Sequence, residues 1–517
     1  MRKINILWTD DEIDLLKPYI VFLENKGYNV KTASNGDDAL QLVKTNYFDL
    51  IFLDENMPGK SGLQVLEEIK QIYPSIPVIM ITKSEEEDIM DKAIGSKITD
   101  YLIKPVNPNQ VLLAIKKNVD HKRLVTEKTT NHYRMEFGQI SQMINQANSF
   151  YEWVDTYKKL VFWELELEKS NDHTMDEVLT MQKNEANTAF GKYIKKNYSS
   201  FFSSQNEDKP ILSPNVFKQK VFPLLEKDEK VFIFLVDNLR YDQWKVIQPV
   251  VRENYHLANE DIFCAILPTA TQYARNAMFS GLMPSEIFKI YPDLWLHDED
   301  DGGKNMHEEE MLKSQLQRNG FNFNFYYDKI NDHKSGQNLV DNYKNLLEYK
   351  FGIIVFNFVD VLSHARTEIK MIRELANDES AYRSLTLSWF QHSPMHNLMQ
   401  IFADNGVKII LTTDHGTTFV QNPVKVVGDR KTTTNLRYKQ GKNLNYNPKE
   451  VFAVTNPESI YLPKSHVSSS YIFALNQDFF VYPNNYNHFV KYYKNTFQHG
   501  GVSLEEMLVP VITLVPK

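Results

Sequence analysis

Residues 407–416, VKIILTTDHG, constrain this chain more than any other stretch. An apolar, β-branched run of this kind reads as a buried parallel strand. It ends in an Asp414–His415–Gly416 corner. In open α/β sheets ligands bind beyond the carboxyl ends of the strands, which directs Asp414 and His415 at such a crevice. Alone, the corner also fits a capped strand end. Its weight comes from other strand ends in the same half of the chain. Val231–Val236 ends at Asp237, and Gly352–Val359 ends at Asp360 with His364 four residues on. Ile262–Leu267 is broken by Pro268, after which Thr269, Ala270 and Thr271 open a helix. Near the C-terminus His499 precedes Gly500, Gly501, the segment SLEEML and the strand VPVITL.

Ligand type gives these strand ends a chemistry. Carboxylate plus imidazole, without thiolate, suits Zn²⁺ or Mn²⁺ at a hydrolytic centre rather than a closed structural site. The single cysteine, Cys264, lies in the apolar run IFCAIL and reads as a buried small hydrophobe, so neither a disulfide framework nor a Cys-based zinc site is available. Two groups can be assembled: Asp360, His364 and His499, and Asp237, Asp414 and His415. Two metals about 4 Å apart clamp the attacking and leaving oxygens of an in-line phosphoryl displacement. Thr271 lies at a helix N-terminus, where partial positive charge lowers the cost of an alkoxide, and metal coordination makes such a hydroxyl nucleophilic. Taken singly, Thr271 also fits a helix cap, His499 a turn and Asp237 a plain strand end. The acidic run Asp298–Asp301 with Glu308–Glu310 reads as a solvated loop.

The motifs FLVDNLRYDQW, LPTATQYAR, FVDVLSHA, LTTDHG and QHGGVSLEEM, spread over about residues 230–510, resemble the alkaline phosphatase superfamily and more narrowly its PglZ-type domain. The resemblance implies an alkaline-phosphatase-like α/β domain over residues 211–517 with two Zn²⁺. One is held by Asp360, His364 and His499, the other by Asp237, Thr271, Asp414 and His415. It also implies that Thr271 attacks phosphorus and that water activated at the first metal releases the phosphothreonyl intermediate. The third, Mg²⁺, site of some family members has no motif here. Arg275 and Asn238 are the candidates for a group that stabilises the transferring oxygens.

The other half of the chain is organised differently. At about 150 residues per domain, 517 residues suggest roughly three domains. Residues 1–122 alternate strand and helix five times: strands Ile4–Thr9, Tyr28–Ala33, Asp49–Leu53, Pro77–Thr82 and Ile98–Ile103, and helices Asp14–Lys26, Gly36–Lys44, Leu63–Ile72, one near Glu86–Ile94, and Asn109–Asp120. That is the signature of a parallel, doubly wound, flavodoxin-like sheet. Asp10, Asp11 and Asp54 gather at strand ends, and three converging carboxylates repel one another unless a hard cation such as Mg²⁺ sits among them. Thr82 and Lys104 end the fourth and fifth strands, placed to hold the oxygens of a phosphoryl group on Asp54. The stretches WTDDE, FLDENMPGKSG, MITKS and YLIKPVNP resemble the receiver domain of two-component response regulators. On that resemblance Asp54 is the phospho-acceptor of a sensor histidine kinase. Asp10, Asp11 and the Asn56 carbonyl help to hold Mg²⁺, and Thr82 and Tyr101 match the switch positions.

Residues 123–210 read as a helical connector bundle. Phe150, Trp153, Val154, Tyr157, Leu160 and Val161 recur at helical spacing, Met175–Ile194 continues in the same manner, and Ser199–Pro210 looks like a linker. No recognition helix with a basic face follows the receiver, and the net charge of −8 argues against non-specific nucleic-acid binding. The apolar run at the start is too short for a signal peptide, and no run approaches the ~18 residues of a membrane span, so a cytoplasmic protein is expected. The order receiver, helices, PglZ-type domain resembles the PorX-type family of response regulators associated with type IX secretion and gliding. It implies a phosphodiesterase acting on cyclic or linear oligonucleotides, and a phosphorylation-dependent homodimer is expected. A second reading makes the C-terminal domain a metal-stabilised docking surface, for example for a sigma factor.

Overall fold

Five short strands, β1 (Asn5–Thr9), β2 (Asn29–Ala33), β3 (Leu50–Asp54), β4 (Val78–Thr82) and β5 (Asp100–Ile103), pair in parallel in the order β2-β1-β3-β4-β5. This is the doubly wound order of a flavodoxin-like fold. β3 and β4 are buried along their whole length, as continuous apolar runs in a parallel sheet require. A computed structural model describes residues 4–517 except 75, 84–97, 171–172, 204–208, 297–302, 304, 369, 429–431, 465 and 467, with residues 119–128, 173, 366–368 and 370–371 described as backbone only. The helix expected near Glu86–Ile94, part of the linker before Pro210 and the run Asp298–Asp301 lie outside the described residues. The helix expected from Asp14 starts later: a 3₁₀ turn covers Ile13–Leu16 and the α-helix begins at Lys17, where Pro18 sits in the first turn. Proline is favoured there because its fixed φ suits a helix start and its missing N–H leaves no bond unmade.

The chain divides into two compact units, residues 1–134 with 169–173, and residues 135–168 with 174–517. In the second unit the helices Phe150–Ser170 and Asp176–Asn197 bury the aromatic stripe read from the sequence: Phe150, Trp153, Val154, Tyr157, Leu160 and Val161 are all buried. Trp153 meets Phe190 edge-on at 5.6 Å. The stripe is core.

A six-stranded sheet carries the rest of this unit. Its strands are β6 (Val231–Val236), β7 (Tyr255–Cys264), β8 (Tyr326–Ile330), β9 (Phe351–Phe356) and β10 (Lys408–Thr412), joined, after seven short strands, by the last one. Those seven are β11 (Thr418–Val420), β12 (Asn422–Lys425), β13 (Tyr438–Lys442), β14 (Val451–Val454), β15 (Ser469–Ala474), β16 (Asp478–Val481) and β17 (Thr496–Gln498), and β18 (Leu508–Pro516) completes the sheet. The order is β7-β18-β10-β6-β9-β8, with β10, β6, β9 and β8 parallel and β18 antiparallel to both its neighbours. From β6 the chain goes first to β7 at one edge of the sheet, then to β8 and β9 on the other side of β6, and returns to β10 beside β6. The crevice outside the carboxyl ends of β6 and β10 is therefore a topological switch point, where ligands bind in open α/β sheets. Two strand assignments shift. The strand expected over Ile262–Leu267 is the end of the longer β7 and stops at Cys264, and the strand expected to run to Val359 stops at Phe356.

Candidate active site

Register brings the acidic strand ends level. Leu235 pairs with Thr412 and Val236 with Phe356, so Asp237, Asp414 and the start of the helix after β9 emerge side by side. Asp360 is not a strand terminus. It lies in the first turn of the helix Phe358–Glu368, one turn before His364, and an i,i+4 pair shares one helix face. His364 Nε2 stands 3.5 Å from Asp360 Oδ2.

His499 arrives by a separate route. β17 pairs with β11, with Thr418 opposite Gln498, and the Thr417 hydroxyl donates to the Gln498 carbonyl at 2.9 Å. β11 follows the Asp414–His415–Gly416 corner almost directly, so this pairing lays His499 against His415. The two rings stack at 4.4 Å, and His499 Nε2 is 3.7 Å from Asp360 Oδ1. Glycines permit both turns. A Cβ on Gly416 would meet the Glu505 carbonyl oxygen at 2.0 Å, and Gly500 holds φ +120°, outside the range other residues adopt readily.

Two ligand groups result. Asp360, His364 and His499 each offer an atom within 4.8 Å of the others, and so do Asp237, Asp414 and His415. In the buried His415 and the partly buried His499, Nδ1 faces a backbone carbonyl, that of Gly416 for His415 (3.1 Å) and of Thr269 for His499 (3.2 Å). An Nδ1–H donated to a carbonyl leaves Nε2 as the free lone pair, the arrangement of a metal-binding histidine. Burial and the neighbouring His415 push His499 down to about 3, which keeps that lone pair available. Burial, with repulsion from Asp414 and Asp360, pushes the Asp237 carboxyl well above its ordinary range despite Arg275 beside it. Burial also opposes the charge on Asp414, but Arg275 and His415 hold its carboxyl below the ordinary range. Two carboxylates this deeply buried with one guanidinium between them remain short of positive charge, and the donor set fits a divalent cation of the zinc class.

Thr271 stands against the group of Asp237, Asp414 and His415. It is the first residue of the helix Thr271–Ser280; the cap is Ala270, and no side chain caps the helix. The Thr271 hydroxyl is thus free of capping duty and faces the crevice, 3.2 Å from His415 Nε2 and 3.5 Å from Asp237 Oδ1. Asn238 holds φ +65° and donates from Nδ2 to Asp360 Oδ1 at 3.1 Å and to the Ser363 hydroxyl at 3.3 Å. It bridges toward the Asp360 group, while its buried Oδ1 has no hydrogen-bond partner. Arg275 does not point at a substrate. It is fully buried, its Nε donating to Asp414 Oδ2 at 3.0 Å and its Nη2 paired with Asp237.

Sequence reasoning missed three supports. Glu308, taken for part of a solvated run, is completely buried, while Glu309 and Glu310 beside it are exposed. Glu506 is buried and accepts from the Gly501 N–H (2.8 Å), the Ser503 hydroxyl (2.7 Å) and Arg437, which fixes the loop that carries His499. A third set ties the connector helices to the loop after Asp237. Arg383 reaches Glu164 (2.8 Å), Glu168 (2.6 Å) and Asp242 (3.0 Å), Lys183 reaches Glu164 and Glu379, and Arg240 reaches Asp242 and Glu379.

In the first unit Asp10, Asp11 and Asp54 converge within 4.8 Å, and Lys104 Nζ lies 2.9 Å from Asp10 Oδ2 and 3.1 Å from Asp54 Oδ2. Burial and repulsion from Asp10 raise Asp54 to about 6, partly countered by Lys104. The Thr82 hydroxyl bonds the buried Glu55 carboxylate, Tyr101 is exposed at 39%, and Asn56 is exposed in the bend after β3.

Comparison with known proteins follows this division. Residues 6–116 match the response regulator receiver domain, and residues 123–202 match the PorX response regulator linker domain. Residues 216–514, more than half of the chain, match the PglZ alkaline phosphatase-like domain of the BREX system. The transcriptional regulatory protein ZraR of Klebsiella oxytoca is 34% identical over 139 residues, 27% of this chain and 31% of ZraR. The alginate biosynthesis transcriptional regulatory protein AlgB of Pseudomonas aeruginosa is 35% identical over 119 residues, 23% of this chain and 26% of AlgB. Less than a third of either relative is therefore matched. A CheY-like receiver domain protein from Methanospirillum hungatei JF-1 aligns at 28% identity over 23% of this chain and 96% of its own, with a TM-score of 0.23. Among the described residues no helix is long and apolar enough to cross a membrane. With a receiver and a PorX-type linker ahead of its largest domain, this response regulator of PorX-type architecture belongs to the PglZ alkaline phosphatase-like family.

Proposed function

We propose that the protein is a cytoplasmic response regulator whose C-terminal domain is a zinc-dependent phosphodiesterase with Thr271 as nucleophile. Asp360, His364 and His499 hold one zinc; Asp237, Asp414, His415 and Thr271 hold the other. The single observation that carries the reading is the position of the Thr271 hydroxyl, 3.2 Å from His415 Nε2 and 3.5 Å from Asp237 Oδ1, at the opening of a helix. The zinc ions supply Lewis acidity for the transferring phosphoryl oxygens. Thr271 Oγ1 gives its proton to solvent and forms the bond to phosphorus while the ester oxygen leaves and takes a proton from solvent. Water then hydrolyses the phosphothreonyl ester and restores the hydroxyl; the helix N-terminus favours the charge that develops on Oγ1. Asn238 steadies Asp360 through its Nδ2, so the group of Asp360, His364 and His499 keeps its geometry as the leaving oxygen departs.

Charge selects the substrate class. Three carboxylates and a deprotonated Thr271, set against Arg275 and two divalent cations, leave one positive charge. That matches the single negative charge of a phosphodiester rather than the two of a phosphomonoester, and cyclic or linear oligonucleotides supply that group. Thr271→Val should abolish turnover of an aryl phosphodiester while zinc content stays near that of the unaltered protein. Surviving turnover removes Thr271 from the reaction.

A further inference from the structure

Arg275 has a carboxylate for each of its nitrogens. Nη2 pairs with Asp237 Oδ2, Nε donates to Asp414 Oδ2 at 3.0 Å, and Nη1 lies 3.6 Å from Glu308 Oε1. Arg275, Asp414 and Glu308 are all at 0% exposure. The outer carboxylate has its own partners: Glu308 accepts the Tyr327 O–H at 2.5 Å and Lys329 Nζ at 3.0 Å. With Lys329 answering Glu308, the guanidinium charge is left for Asp237 and Asp414.

The two inner carboxylates divide their oxygens. Asp237 turns Oδ1 to Thr271 and His415 and keeps Oδ2 for Arg275. Asp414 accepts the Asn238 and His415 N–H groups at Oδ1, at 3.4 and 3.1 Å, and meets Arg275 at Oδ2. A planar guanidinium with a rigid fork of donors fixes both carboxyl planes in a way a point charge does not. A buried site where three carboxylates converge otherwise calls for a hard divalent cation with oxygen ligands.

We infer that Arg275 is a built-in cation, standing where Asp237, Asp414 and Glu308 converge, which positions the two inner carboxylates for their zinc and makes a third divalent ion unnecessary. The inference rests on the zinc reading proposed above. Arg275 touches no reacting atom; it is a positioning residue. Removing its side chain should leave three carboxylates around a vacated space, a magnesium site by composition.

The test is zinc content of the full-length protein, measured by elemental analysis after dialysis against graded free zinc, with and without magnesium. The unaltered protein should hold the same zinc under both conditions. Arg275→Ala should lose about 10- to 100-fold in apparent zinc affinity without magnesium, the cost of losing a partner that orients a ligand. Millimolar magnesium should restore it, and Arg275→Lys, a point charge without the fork, should recover only part of the affinity without magnesium. A purely structural arginine gives no magnesium rescue. Undiminished zinc affinity in Arg275→Ala, or a loss that magnesium leaves unchanged, overturns the inference. If Arg275→Ala fails to fold, the unaltered protein decides, because a need for magnesium to hold zinc equally overturns it. An unaltered protein that takes up no zinc at all refutes the underlying metal reading, a distinct outcome.

Discussion

Lys439 shows how much a single buried residue costs this fold. It is 1% exposed, its Nζ donates to the Thr433 carbonyl at 2.8 Å and lies 4.8 Å from the Tyr482 ring centre. Burial pushes its ammonium down from 10.5 to about 7. Between those two values the unfolded chain carries a proton that the folded chain has released, so stability rises with pH across that window. Below it both states are protonated and the full burial cost applies. Lys439→Met should therefore stabilise the protein near pH 6 by on the order of a few kcal/mol, with the gain shrinking as pH approaches 10. Thermal melts across pH test this, and a gain that does not vary with pH contradicts it. Thr271 illustrates the other side of residue-scale reasoning. From the sequence it competed with an ordinary helix cap, and the backbone removes that competitor by placing Ala270 at the cap.

At the scale of elements, the strands could be read from the chain because β3, β4, β6, β9 and β10 are fully or almost fully buried, and a buried strand must be apolar along its length. Boundaries shifted where apolar character continues past the ladder: Phe358 and Val359 extend the run of β9 but already belong to the helix that carries Asp360 and His364. The arrival of His499 beside His415 was legible only as chemistry, because the pairing of β11 with β17 joins strands of three residues. The acidic run misled for a simple reason. Three successive glutamates at a helix start look alike, yet helical geometry turns only Glu308 inward. The connector helices likewise read as plain packing, while Glu164 and Glu168 lock onto Arg383 and Lys183 onto Glu379, which also holds Arg240. Breaking such a buried network by removing one partner leaves an uncompensated charge. Arg383→Met should destabilise the second unit by about 3–5 kcal/mol. Urea unfolding followed by tryptophan fluorescence measures this, and a loss near zero means that the network is not holding the connector to the domain.

For the whole molecule, the receiver and the PglZ domain supply an input and an output. On the proposed reading, phosphorylation of Asp54 would bias a two-state receiver, and the expected consequence is dimerisation. Beryllofluoride, which mimics the phosphoryl group, should shift the monomer–dimer balance in analytical ultracentrifugation, and Asp54→Ala should abolish the shift. An unaltered sedimentation profile with Asp54 intact removes dimerisation from the account. The central claim lies in the PglZ domain, where residues from Asp237 to His499 are gathered into two groups able to hold a metal, one of them beside the Thr271 hydroxyl. Anomalous diffraction at the zinc edge, from crystals grown with zinc, tests it most directly. The account predicts two zinc peaks about 4 Å apart, one among Asp360, His364 and His499 and the other among Asp237, Asp414, His415 and Thr271. A crevice with no zinc, or zinc at only one of the two groups, would contradict it.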